Sequence, residues 1–283
     1  LAARFRLQGS VALVTGAASG IGAALAAALA AKGCSLALVD RDEAGLKAVA
    51  GRLAAGGTET STHRVDLADA GAIAALPALV EERAGPIDIL VNNAGVALGG
   101  RFEETHLEDF EWVLDVNLRA VIRMCHAFLP MLRARPVAQI VNVSSLFGLI
   151  APPGQTAYCA SKFGVRGFTE SLRHEFAGTP LGVSVVHPGG VATAIARNAR
   201  SPRPPEDAEG AEIARLVAEK GRVAFEKMLT LSPEAAAEQI VRGIERRSPR
   251  IIVGADARNA AFIQRLMPAG YWAAITRLSG GRI

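Results

Sequence analysis

The sequence predicts an α/β fold, a doubly wound parallel sheet with helices on both faces, organised as a single domain over residues 1–283. Three observations carry this expectation. Short, nearly continuous apolar runs recur along the chain, alanine- and leucine-rich stretches with helical spacing separate them, and the first run ends in a glycine-rich turn that leads straight into a helix. Strands buried on both faces read as unbroken apolar runs, and strand–helix alternation is how a parallel sheet makes its crossovers. Composition agrees: half of the 283 residues are apolar and a fifth are charged, enough to bury a full core.

In chain order, Val11-Ala12-Leu13-Val14 is the first expected strand, and the alanine-rich residues 20–31 form the first helix. Ser35-Leu36-Ala37-Leu38-Val39 follows, then a helix over 44–54. A helix over 73–84 precedes the strand Ile87-Asp88-Ile89-Leu90-Val91, and a long helix over 107–133 precedes Gln139-Ile140-Val141-Asn142-Val143. A helix over 157–176 leads to Val183-Ser184-Val185-Val186. After Thr193 the alternation stops, because Ser201-Pro202-Arg203-Pro204-Pro205-Glu206-Asp207 can continue no element. Helical spacing resumes over 211–228, with Ile213, Leu216, Val217, Phe225, Met228 and Leu229 forming an apolar stripe. We therefore expect residues 194–230 to be a helical substrate lid hinged at Pro202, Pro204 and Pro205, since long excursions from compact domains commonly cover or bind a ligand. Ile251-Ile252-Val253 completes the sheet. Residues 255–283 form an apolar C-terminal tail whose stripe holds Phe262, Ile263, Leu266 and Met267, followed by Tyr271, Trp272 and Ile275.

Several function classes are disfavoured. The longest apolar stretch, residues 21–31, is broken by Gly22 and closed by Lys32, well short of the roughly 20 residues that span a bilayer. The first residues, Leu1-Ala2-Ala3-Arg4-Phe5-Arg6, lack an initiator Met and carry neither the apolar segment nor the cleavage pattern of a secretion signal. Cys34, Cys125 and Cys159 are odd in number and show no metal-site spacing, which suits a reducing cytoplasm rather than a disulfide framework. The net charge of +4 comes mainly from 26 scattered arginines, with no clustered basic stripe, so no nucleic-acid partner is expected. The five histidines show no ligand spacing either, and no metal is expected.

Chemistry concentrates in four places. In Thr15-Gly16-Ala17-Ala18-Ser19-Gly20-Ile21-Gly22 the glycines let the backbone approach a diphosphate, whose charge the N–H groups and dipole of the helix start would offset. At the tip of the next strand, Asp40 can accept hydrogen bonds from both hydroxyls of an adenosine ribose and repels a 2′-phosphate, favouring NAD over NADP. Arg41 beside it could pair with that phosphate, and we read it as a solvated side chain. Tyr158 and Lys162 stand one helical turn apart, where an ammonium would favour phenolate and lower the tyrosine pKa toward the range of a general acid/base. Ser144-Ser145 directly follows a strand whose carboxyl end should line the ligand crevice, where a hydroxyl could reach the same substrate oxygen.

Thr15-Gly-x-x-x-Gly-x-Gly22, Asn92-Asn93-Ala94-Gly95, Asn117, Ser145 thirteen residues before Tyr158, Tyr158-x-x-x-Lys162 and Pro188-Gly189-x-x-x-Thr193 together resemble the classical short-chain dehydrogenases/reductases, in order, from about Gln8 to Thr193. The resemblance implies a Rossmann fold and an NAD(P)-dependent oxidoreductase interconverting a secondary alcohol and a ketone, or less readily a primary alcohol and an aldehyde. It implies Tyr158 as acid/base, Ser145 orienting and polarising the substrate oxygen, and Lys162 holding the nicotinamide ribose. Asn117 would support a proton relay through a break in its helix. Gly16, Ser19, Gly20, Ile21 and Gly22 would hold the diphosphate, Asp40 and Arg41 the adenosine ribose, and Asp66 and Leu67 the adenine. Asn93, Ala94 and Gly95 would back the ribose, while Pro188, Gly189, Val191 and Thr193 would flank the nicotinamide.

The extended tail resembles family branches acting on bulky, lipophilic substrates, which with the two stripes points to an apolar alcohol or ketone. The resemblance also implies a homodimer or homotetramer built on the helices within 107–133 and 157–176. Two other classes of function compete. A non-catalytic dinucleotide-binding regulator would show a broken catalytic set, whereas a sugar-nucleotide epimerase or dehydratase would show a different glycine turn and a larger C-terminal domain. His187 reads as a packed strand-end residue, Cys159 as packing, and Arg197, Arg200 and Arg203 as solvated charges of the lid.

Overall fold

The computed structural model describes residues 4–202 and 208–278, apart from the side chains of 208, 209, 211, 213, 214, 217, 218, 224 and 225. The strands are β1 (Val11–Thr15), β2 (Ser35–Asp40), β3 (Thr60–Arg64), β4 (Ile89–Asn92), β5 (Ala138–Val143), β6 (Leu181–Pro188) and β7 (Arg250–Val253). They form one parallel sheet in the order β3-β2-β1-β4-β5-β6-β7, with Leu13 of β1 in register with Ala37 of β2 and Leu90 of β4.

Successive strand residues point to opposite faces, and that alternation builds two cores. Ala12, Val14, Leu36, Leu38 and Val91 pack with Leu25 and Leu29 of α1 (Gly20–Ala30), Leu46 and Val49 of α2 (Glu43–Ala55), and Ile240 and Ile244 of α8 (Pro233–Glu245). On the other face, Leu13, Ala37, Val39, Leu90 and Ile140 pack with three helices. These contribute Ile73 and Leu76 of α3 (Ala70–Ala84), Met124 and Phe128 of α5 (Ala120–Arg133), and Val165 of α6 (Thr156–Glu175).

Four features depart from the sequence expectation. The edge strand β3, Thr60-Ser61-Thr62-His63-Arg64, has no apolar run because only His63 is buried. The expected helix over 107–133 is α4 (Leu107–Leu114), a π-helical turn at Asp115–Arg119, then α5. α8 was not anticipated, although Ser232 caps it by accepting from the Ala235 N–H at 3.1 Å and Pro233 occupies its first turn, both ordinary start signals. In the tail, α9 (Ala255–Leu266) and α10 (Tyr271–Leu278) form, but α9 buries Ala257 and Ala260 while Phe262, Leu266 and Met267 face outward.

The excursion contains α7 (Ala208–Met228). Of its expected stripe, Met228 and Leu229 line a crevice and Leu216 is exposed, while Ile213, Val217 and Phe225 are outside the described side chains, as are residues Arg203, Pro204 and Pro205. Arg215, Glu219 and Arg222 line the crevice as well, so among the described side chains α7 adds charge to the apolar Met228 and Leu229. Arg200 is not simply solvated. Its guanidinium pairs with Asp109 at 2.7 Å and lies 3.7 Å from the centre of the Trp112 ring, and its main chain bonds Ala97 and Gly99. The base of the excursion is thereby fastened to α4.

Candidate active site

Strand order diverges on either side of β1 and β4, so a crevice opens beyond their carboxyl ends. It encloses about 1890 Å³, more than the roughly 300–1,000 Å³ of an ordinary small-molecule pocket. A dinucleotide and a substrate can share such a volume.

The glycine turn forms the crevice wall at the end of β1. Gly16 and Gly20 adopt φ of 66° and 54°, a left-handed backbone that disfavours side chains, and a Cβ on Gly22 would overlap the Gly16 carbonyl. Thr15 Oγ1 accepts from the Asn93 and Ala94 N–H groups at 2.9 and 3.1 Å, and Asn93 Nδ2 donates to the Thr15 carbonyl, fixing the turn against the β4 loop. Ser19 is the N-cap of α1, yet its side chain makes no capping bond, and the first N–H groups of a helix have no partner within it. At the tip of β2, Asp40 accepts from the Ala18 N–H through Oδ2 and from the Asp42 N–H through Oδ1, both at 3.0 Å. Each carboxylate oxygen keeps lone-pair capacity for a further donor. Arg64, in register with Asp40 on β3, joins Arg41, Asp42 and Asp66 around an adjoining recess. The sequence could not reveal this second arginine, because the strand that carries it has no apolar signature.

A second cluster lies beyond β5. Tyr158 is hydrogen-bonded to the Ser145 side chain and stacks edge-on against Phe147, ring centres 6.1 Å apart. Ser145 Oγ also accepts from the Phe147 N–H at 3.1 Å, whereas Ser144 donates to the Lys162 carbonyl and serves the fold. Lys162 lies 5.7 Å from the Tyr158 ring centre and donates to the Val143 carbonyl at 3.1 Å. Asn117 sits in the π turn, fully buried. Its amide brackets the Val96 main chain, accepting at 2.8 Å and donating at 2.9 Å, and also donates to Ser161, whose hydroxyl bonds the Tyr158 carbonyl.

Electrostatics here correct one expectation. Burial pushes the Tyr158 phenol up to about 12, against the opposing effect of its Ser145 hydrogen bond, instead of Lys162 drawing it down. The same burial pushes the Lys162 amine down to about 8. Each group resists charge when taken from water, and an amine over the ring rather than at the hydroxyl does not reverse that. His187 is wholly buried with Nδ1 2.9 Å from the Ser145 carbonyl, so Nδ1 carries the proton, and burial pushes the imidazole down to about 4.

After β6, Val191 pairs with Leu231 in an isolated parallel bridge, and a Cβ on Gly20 would meet the Thr193 methyl at 3.1 Å. The loop after β6 therefore closes over the glycine turn. Every expected site residue lines the crevice except Gly22, buried beneath the turn, and Asn117, buried behind Gly95 and Val96.

Residues 10–204 match the model of the short chain dehydrogenase family. Over 267 residues, 93% of each chain, the sequence is 41% identical to the Mycobacterium tuberculosis protein named "Putative oxidoreductase SadH". It is 42% identical over 198 residues to the D-threitol dehydrogenase of Mycolicibacterium smegmatis, covering 69% of this chain and 75% of that one. The fold superposes with a TM-score of 0.84 and 30% identity on a short chain dehydrogenase/reductase from Burkholderia phymatum in complex with NAD, over 93% of this chain and 95% of that one. Sequence, sheet order and crevice agree: the chain belongs to the classical short-chain dehydrogenase/reductase family and is an oxidoreductase.

Proposed function

We propose that this oxidoreductase interconverts a secondary alcohol and a ketone using NAD, with Tyr158 as its acid/base. The observation that carries the reading is the convergence of Ser145, Tyr158 and Lys162 on one crevice wall beside the glycine turn. The residues present suit a dinucleotide: the uncapped start of α1 offers N–H groups to a diphosphate, and Asp40 retains acceptor capacity for ribose hydroxyls. Gly16, Ser19, Gly20, Ile21, Asp40, Asp66 and Leu67 would hold the adenosine diphosphate half. Asn93, Ala94, Gly95, Lys162, Pro188, Gly189, Val191 and Thr193 would hold the nicotinamide half. The cofactor, when bound, supplies the hydride acceptor or donor.

The chain's own groups manage the proton. During oxidation the Tyr158 oxygen takes the hydroxyl proton of the substrate, and during reduction it returns one to the forming alkoxide. Ser145, whose oxygen is held by the Phe147 N–H, would turn its one proton from Tyr158 to the substrate oxygen. A protonated Lys162, 5.7 Å from the Tyr158 ring centre, would stabilise the phenolate that Tyr158 becomes when it holds no proton. Asn117 ties the Val96 main chain to Ser161 and so holds α6 in register with the β4 loop.

Leu146, Phe147, Ile195, Met228 and Leu229 also line the crevice, which supports a substrate that is apolar around its reacting carbon, bounded by the charges of α7. We further propose a homodimer or homotetramer, supported by Leu107, Ile122 and Phe163, which are 71%, 39% and 38% exposed on α4, α5 and α6. Its compartment would be the cytoplasm, in keeping with three unpaired, buried cysteines. Screening aliphatic, cyclic and lipophilic alcohols while following reduced-cofactor absorbance tests the reading. With an active substrate found, Tyr158→Phe should lower kcat by at least about 10²-fold and leave cofactor affinity unchanged, and a variant retaining more than about a tenth of kcat refutes the assignment.

A further inference from the structure

The family match ends at residue 204, but the crevice wall continues beyond it. Asp256, in the first turn of α9, reaches back to the loop after β6, where its Oδ2 accepts from the Gly190 N–H at 2.7 Å. Its carboxylate fills the space that a side chain on Gly189 would need, since a Cβ there would overlap both oxygens. A Cβ on Gly254, at φ 94°, would likewise overlap Oδ1. One residue earlier in the loop, the Gly189 N–H donates to the Val253 carbonyl at 2.9 Å. Consecutive N–H groups of the loop are thus held by consecutive parts of the C-terminal segment, first the main chain of β7 and then the side chain of α9.

We propose that Asp256 is a positioning residue for the nicotinamide half of the cofactor, an inference that rests on the dinucleotide reading above. Two successive glycines leave this loop many backbone conformations, and a charge-assisted bond to one N–H selects among them. From Gly190 the chain runs directly to Val191 and Thr193, and Thr193 meets the glycine turn at Gly20. The selected conformation therefore determines where the nicotinamide wall stands relative to the diphosphate wall. The glycines suit this role because their missing side chains make room for the carboxylate.

The test compares Asp256→Ala with Asp256→Asn in the full chain. Binding of the preferred reduced dinucleotide is read by nicotinamide fluorescence, and binding of AMP, which occupies the adenine half alone, by calorimetry. Alanine deletes the acceptor, whereas asparagine keeps a carbonyl oxygen for the Gly190 N–H. We expect D256A to weaken reduced-dinucleotide binding about 10-fold, the scale of one charge-assisted hydrogen bond, with AMP binding unchanged and D256N recovering most of the loss. Equal weakening of dinucleotide and AMP would make Asp256 a general fold contact and overturn the proposal. Unchanged dinucleotide binding in D256A, or no recovery in D256N, would also overturn it. A wild-type chain that binds neither NADH nor NADPH would overturn the cofactor reading itself, and this proposal with it.

Discussion

Replacing Lys162 with methionine should make the protein more stable at neutral pH even as it removes a residue assigned to the reaction. Lys162 is 3% exposed, and burial pushes its amine from 10.5 down to about 8. At ~1.4 kcal/mol per pH unit, keeping the charged amine in that environment costs roughly 3 kcal/mol relative to the unfolded chain. Because the folded pKa lies below the unfolded one, the unfolded chain binds more protons between pH 8 and 10.5. Wild-type stability therefore rises through that window and is lowest below it. Methionine fills similar space without the charge but forfeits the 3.1 Å hydrogen bond to Val143, worth about 1 kcal/mol. The expected balance below pH 8 is a gain of about 2 kcal/mol, which reverses to a small loss near pH 10.5 as wild-type Lys162 becomes neutral in both states. Urea denaturation of both proteins at the two ends of the window measures it. A variant less stable than wild type at neutral pH, or a difference that does not move with pH, refutes the reasoning.

Asp40→Ser should shift preference from NAD toward NADP by roughly 10-fold or more, by removing the repulsion and leaving Arg41 and Arg64 to pair with a 2′-phosphate. The check is kcat/KM with each cofactor, and a wild type already favouring NADP rejects the prediction. His187 is buried neutral, with a folded pKa of about 4 below the ordinary 6.5, so its contribution of roughly 3 kcal/mol is complete above 6.5 and lost as pH falls toward 4. His187→Gln should flatten the acid limb of the stability profile, and identical acid limbs in variant and wild type would contradict this. Light scattering at micromolar concentration should give the mass of a dimer or tetramer, since an interface of ordinary size and quality persists there. A stable species with the mass of one chain would count against that assembly.

Much of the site was legible before any coordinates because each of its parts is a local device. A glycine turn, a carboxylate at a strand tip and a Tyr/Lys pair one helical turn apart keep their meaning within a few residues of chain. Parts built from distant segments were not legible. Arg64 reaches the recess beside Asp42 and Asp66 only because β3 pairs with β2, and Asp256 reaches Gly190 only because α9 starts where β7 ends beside β6. That α7 also brings Arg215, Glu219 and Arg222 to the crevice was not legible, since periodicity identifies an amphipathic helix without saying which side meets the crevice. Arg200 shows the same limit, as a charged loop residue looks solvated until Asp109 and Trp112 are brought beneath it.

By itself the sequence determined the parallel α/β architecture, because strands buried on both faces must be apolar throughout and their crossovers must be helical. It also determined which groups could carry proton chemistry. Only the tertiary structure decided how readily each ionises: Tyr158 rises and Lys162 falls because packing at the sheet end, α6 and the loop after β5 takes both from water, Lys162 the more completely. Desolvation depends on everything packed around a group, and no spacing along the chain encodes that sum. The fold likewise decided that the C-terminal segment joins the site, because a hydrogen bond between residues 190 and 256 exists only once β6 and β7 lie side by side.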